Sequence, residues 1–229
     1  MKKIILATLA FIFSLSSFAQ ELEEVVVTGS MLDGNYYEMP AVTIKKKADF
    51  LVQRIRLVND SRSPGLRRSE IRKTISNLID SSRKVKGIAL SYGEGFLVPV
   101  NLNDDSLEII EDRKKSDTSY VNIYAKVAVN ADNDAKDQIN ELRSFVYSAR
   151  LDGRTEIETQ GDVGLSIVSP EQYRYEILGK IAEENNKITE VVGGTCKITV
   201  AGLEGRVEWE RSDVSELTLY IPYATEITC

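Results

Sequence analysis

The chain has 229 residues, a formal charge of −6 from 29 Lys and Arg against 35 Asp and Glu, and no histidine. An acidic balance disfavours adhesion to nucleic acid or to anionic lipid. The missing imidazole excludes His-based triads, His-ligated zinc, haem on a proximal His and facial-triad iron. No cofactor or metal is therefore expected.

The chain opens with Lys2 and Lys3, an apolar run from Ile4 to Leu15, and Ser17-Phe18-Ala19. These are the three zones of a secretory signal peptide, assigned to residues 1–19. The apolar run falls short of the roughly 20 residues a spanning helix needs, and Gln20 stands where a lipoprotein would have Cys. The mature chain is expected to be soluble and periplasmic, or otherwise extracytoplasmic. Cleavage after Ala19 removes 19 of 229 residues, leaves 210, and takes the formal charge to −8 by removing two lysines.

Residues 20–47 mix Glu21-Leu22-Glu23-Glu24, a valine triplet, Gly29, Gly34, Pro40 and Lys45-Lys46-Lys47. This composition predicts an extended leader, with the folded body starting near Val42. Phe50 to Val58 alternates Ile55 and Leu57 with Arg54 and Arg56, as a strand does. Ser63-Pro64 is a cap followed by proline at the first helical position, and Ile71, Ile75, Leu78 and Ile79 make one apolar helical face. The outer face then carries Arg67, Arg68, Arg72, Lys73, Arg83 and Lys84. Ile88 to Val100 reads as a returning strand with a turn or bulge at Gly93-Glu94-Gly95. These elements make a first α+β unit over 48–100.

The charged stretch 101–119 reads as a polar linker to a second α+β unit over 120–229. Val121 to Val129 alternates as a half-buried strand. A helix with Ala135, Ile139, Leu142, Val146 and Ala149 on one side follows, closed by Gly153. Val163, Leu165 and Ile167 give the next strand, with Gly161 and Gly164 weakening it or marking a bulge. Ser169-Pro170-Glu171-Gln172 has the form of a helix N-terminus, with the Ser as cap. The helix runs through Ile177, Ile181 and Ile188 to Gly193-Gly194. Ile198 and Val200 then read as a hairpin with Val207 and Trp209 around Glu204-Gly205. Leu217 to Ile227 reads as a final strand, placed at an edge or bulged by Pro222. The fold class is α+β: repeated strand-helix-strand units in a largely antiparallel sheet with helices packed on one face.

Cys196 and Cys229 admit one intramolecular bridge; the alternatives are two free thiols or an intermolecular bond through Cys229. Glu24, Val25, Val26, Val27, Thr28 and Gly29, preceded by Glu23, resemble the TonB box of TonB-dependent outer-membrane receptors. That resemblance implies a mobile peptide lent by strand addition to a TonB-like protein partner. It covers about eight residues, and 210 residues are too few for the receptors' barrel. The other reading of the valines is a strand in this protein's own sheet. Across 42–227 the element order and export resemble SIMPL-domain envelope proteins, which implies a binding or self-assembling homo-oligomer rather than an enzyme.

Other constellations have ordinary readings. Ser81-Ser82-Arg83-Lys84 matches S-x-x-K without its companion signatures. The acids from Asp104 to Asp112 lack calcium-loop spacing. Tyr173, Tyr175, Tyr220, Tyr223 and Trp209 line either a ligand surface or the core. Glu156, Glu158 and Asp162 are the carboxylates a hydrolase would have to bring together. The expected function is that of an exported, non-catalytic binding or accessory protein of the bacterial envelope, the alternative being a structural, self-associating one.

Overall fold

A computed structural model of the chain describes residues 23–27, 39–94, 96–101, 107–130, 133–193 and 195–229. The export signal expected over 1–19, together with Thr28, Gly29, Asp104 and Asp105, lies outside them. In chain order the elements begin with β1 Glu24–Val27, β2 Ile44–Lys47, β3 Phe50–Asn59, α1 Pro64–Ser82, β4 Ile88–Tyr92, β5 Val98–Pro99 and β6 Ile110–Glu111. They continue with β7 Ser119–Ala128, α2 Ala135–Tyr147, β8 Thr155–Val168, a 3-10 turn Pro170–Tyr173 and α3 Arg174–Val192. Four short strands close the chain: β9 Lys197–Ala201, β10 Glu208–Arg211, β11 Glu216–Tyr220 and β12 Ala224–Thr228.

The α+β class is as expected, and the main sheet is antiparallel in the order β1-β8-β3-β7-β4-β5, with β6 pairing the start of β7. Register explains its two faces. Leu51, Ile55 and Leu57 of β3 lie beside Val127, Ile123 and Val121 of β7, and all are buried. Both α1 and α2 contact β3 and β7 and cover this face with Ile71, Ile75, Leu78, Leu142 and Val146. Alternation puts Arg54, Arg56, Asn122 and Tyr124 on the other face, where they are half-buried. The bulge marked by Gly161 is present: Val52 pairs Gly164 while Arg54 pairs Gln160. Gln53 fills the interruption from within the sheet, its Nε2 donating to the carbonyls of Gln160 and Gly161, both at 3.3 Å.

Two small sheets complete the molecule. One has the order β10-β11-β2 and the other is the two-stranded ribbon β12-β9. The hairpin expected over 198–209 is corrected, because β9 pairs β12 while β10 pairs β11. Gly202, at φ 93, approaches Pro222 so closely that an added Cβ would sit 2.7 Å from the proline carbonyl oxygen. Two stretches of the chain meet at this corner, and each passes from one ladder into the other. The long final strand is accordingly split at Pro222 into β11 and β12.

Four further expectations change. Glu24–Val27 and Ile44–Lys47 are strands, so the stretch 20–47 is not uniformly an extended leader. The units 48–100 and 120–229 share one sheet, since β3 lies between β7 and β8. Ser169 does not cap with its side chain: at φ 49 it is left-handed, its amide donates to the Glu23 carbonyl, and α3 starts later, at Arg174. The second helix ends at Tyr147, whereas Gly153 (φ 57) belongs to the turn into β8. By contrast, Ser63 caps α1 as expected, its Oγ accepting from the Leu66 amide at 3.3 Å.

Candidate binding surfaces

The valine segment is built into the main sheet. Glu24, Val25, Val26 and Val27 lie opposite Val168, Ile167, Ser166 and Leu165 of β8. Along its other edge, Val25 bridges to Phe96 and the Leu97 amide donates to the Glu24 carbonyl at 3.0 Å. Val25 is buried, in keeping with this. The Glu24 carboxylate accepts from Ser166 Oγ at 2.7 Å and pairs with the ammonium of Lys126, which also lies 4.2 Å from the centre of the Phe50 ring. Both charged groups are buried, an arrangement tolerated only when each has its partner. A peptide hanging free over Glu24–Val27 is thus corrected: β-branched residues next to a buried counter-charge satisfy their backbone inside the same molecule.

A cleft of about 350 Å³ opens where β1, the 3-10 turn and β10 approach one another. Trp209, Val207 and Pro170 give it an apolar floor, and Glu23, Glu171 and Glu208 stand around it with Arg206. Glu171 is committed to structure, its Oε1 accepting from the Val207 amide at 2.9 Å. Of the late aromatics, Trp209 alone lines this cleft. Tyr175 is 82% exposed, Tyr220 is buried, and Tyr173 lies under Lys46 at 4.8 Å, so the set does not form one surface. Burial, reinforced by the carboxylates Glu210 and Glu208, pushes the Tyr220 phenol up to about 12.

The polar face of the main sheet holds a smaller hollow of about 130 Å³ bordered by Arg54, Tyr92, Glu94, Asn122 and Tyr124. Glu156 and Glu158 lie on this face of β8, opposite Val58 and Arg56, and Asp162 sits in the bulge. The bulge separates Asp162 along the strand from the other two. Among the described residues no group of three or more Cys, Asp or Glu could hold a metal ion. Gly93 is a tight turn at φ 132, where a Cβ would fall 2.0 Å from the Phe96 carbonyl oxygen. Ser81 and Lys84 meet through backbone alone, as the Lys84 amide donates to the Ser81 carbonyl at the helix end.

The basic outer face assigned to α1 needs one correction. Arg67 is 3% exposed and points inward: Nε donates to Ser119 Oγ at 2.7 Å, Nη1 to the Ser61 carbonyl at 3.0 Å, and Nη2 to Glu111 at 2.7 Å. Arg68 meets the same Glu111 at 3.6 Å. Glu111, from the charged stretch 101–119, therefore docks on this helix within the same chain. Cys196 and Cys229 are bridged, with sulfurs 2.17 Å apart, across the open end of the β9–β12 ribbon.

Sequence reasoning missed the buried roles of Glu24, Lys126 and Arg67. One faint signal for Lys126 exists, the one charged residue in the run Val121–Val129, whose other members are apolar or aromatic apart from Asn122. The fold and these surfaces define an antiparallel α+β protein with a disulfide-tied ribbon and an acid-rimmed cleft beside an open strand edge. Compared with family models, with curated proteins and with solved structures, the chain matches none.

Proposed function

We propose that this is an exported, non-catalytic structural protein of the bacterial envelope that works through contacts with other proteins, copies of itself included. The observation that carries the reading is the pairing of Glu24–Val27 with β8. A segment so paired, with Glu24 buried against Lys126, serves as a strand of its own sheet. Lending it to a TonB-like partner would require stripping four residues from β8 and leaving Lys126 buried without its counter-ion, a loss of about 3–5 kcal/mol. The Cys196–Cys229 bridge supports an oxidising, periplasmic setting.

Limited proteolysis and sedimentation of the mature chain test the reading together. The valine segment should resist cleavage at protease levels that spare the body, and the sedimentation coefficient should rise with protein concentration. Rapid clipping within Val25–Val27 accompanied by loss of a captured envelope protein would return the segment to a lending role. A chain that stays monomeric and retains no envelope protein would also overturn the proposal.

A further inference from the structure

The small sheet β10-β11-β2 ends on both sides in strands that no other strand pairs among the described residues. Such edges present rows of backbone donors and acceptors. Their side chains differ in sign. On β2, Lys46 is taken by Glu176 at 2.8 Å, which leaves Lys45 and Lys47, both exposed and without an ion pair among the described residues. On β10, Arg211 is taken by the carbonyls of Val163, Asp213 and Val214, which leaves Glu208 and Glu210. The Tyr220 hydroxyl, 3.4 Å from Glu210, is hydrogen-bonded to both of these carboxylates.

Register puts these charges on one face. Lys45 lies opposite Thr218, and Thr218 lies opposite Glu210, so the three form a row across the sheet. Both pairings are antiparallel, so β10 and β2 run in the same direction. β10 borders the cleft of about 350 Å³ and contacts β1, but no strand other than β11 pairs with it among the described residues.

We propose that β10 of one copy accepts β2 of the next, so that successive copies of this chain join head to tail through one continued sheet. The proposal rests on the self-association in the reading above and names its interface. Like charges placed opposite each other across strands are unfavourable, whereas opposite charges attract. A two-fold β2–β2 contact sets lysines on lysines, and a β10–β10 contact sets glutamates on glutamates. Edge lysines thereby block the symmetric pairings and select the acidic edge. A heterologous contact of this kind generates a ring if its rotation closes and a filament if it does not.

The test uses the mature chain with its disulfide intact, and two charge-reversed variants: Lys45→Glu with Lys47→Glu, and Glu208→Lys with Glu210→Lys. Each variant alone has two edges of one sign and should self-associate at least about tenfold more weakly in sedimentation than the parent. An equimolar mixture of the two restores opposite edges at every junction and should regain assembly. As a check that does not depend on folding of the variants, assembly of the unaltered chain should weaken about tenfold between low salt and roughly 0.5 M salt. Variants that assemble like the parent, or a mixture of folded variants that stays dissociated, would place the interface elsewhere while leaving self-association intact. A parent that stays monomeric at every concentration would remove both.

Discussion

Glu70 gathers three donors at one carboxylate oxygen: Asn59 Nδ2 at 2.7 Å, Ser61 Oγ at 2.7 Å and the Arg154 amide at 3.1 Å. It thereby ties the start of α1 to the end of β3 and the entry to β8. Gly153 is packed so tightly against this carboxylate that an added Cβ would sit 2.0 Å from its Cδ. The hydrogen bonds from Asn59, then Ser61, then Arg154 hold the Glu70 carboxyl below its ordinary value of 4.5. The Arg67 hydrogen bond does the same for Glu111. A carboxyl lowered in the folded state contributes its full stability above the unfolded value and loses it as pH falls through the folded one. Stability should therefore decline as pH drops below 4.5, and Glu70→Gln should flatten that decline while costing about 1 kcal/mol at neutral pH. Urea midpoints at several pH values decide it; an unchanged acid slope in the variant would deny Glu70 this role. Nothing in the sequence marks Glu70, because its donors come from two places far apart along the chain, Asn59 with Ser61 and Arg154.

At the level of elements, the strands β3, β7 and β8 were legible because alternation of period two is imposed by a sheet with one buried face. Helix α1 was legible from its cap and its apolar spacing. Alternation reveals a strand's faces but not its neighbours, so β9 and β10 read as one hairpin although each pairs elsewhere. The ribbon they concealed has its own prediction. Every residue of β12 is exposed and β9 is at most half-buried, so little apolar packing holds the pair together. The bridge from Cys196 to Cys229, 33 residues apart, is the principal restraint, worth about 3–4 kcal/mol in the chain-entropy model. Reduction should therefore open the ribbon locally, as a weakly protected unit opens before the core. Amides of 197–201 and 224–228 should exchange about tenfold faster or more after reduction, with those of β3 unchanged. Equal exchange in the two redox states would mean that the ladder holds without the bridge.

Over the whole molecule, two strand-helix-strand passes joined by a charged stretch suggest two adjacent units, and the passes β3-α1-β4 and β7-α2-β8 do follow one another along the chain. Interleaving is what the order alone does not reveal. Strand β3 from the first pass lies between β7 and β8 from the second, with ten and nine paired residues on its two sides. Its Leu51, Ile55 and Leu57 are fully buried there, which at roughly 2 kcal/mol each makes them a large share of a domain's net stability. Without β3, a fragment of residues 120–229 would expose facing edges of β7 and β8 and the apolar side chains between them. That fragment should show no cooperative thermal transition and should bind a hydrophobic dye. Adding residues 20–100 as a separate fragment should restore the transition, because the missing strand has a vacant lane with matching alternation on both sides. Calorimetry of the two fragments, apart and mixed, distinguishes the outcomes: a cooperative transition from 120–229 alone would establish that the second pass closes its own sheet, and that β3 is an addition to the core rather than its centre.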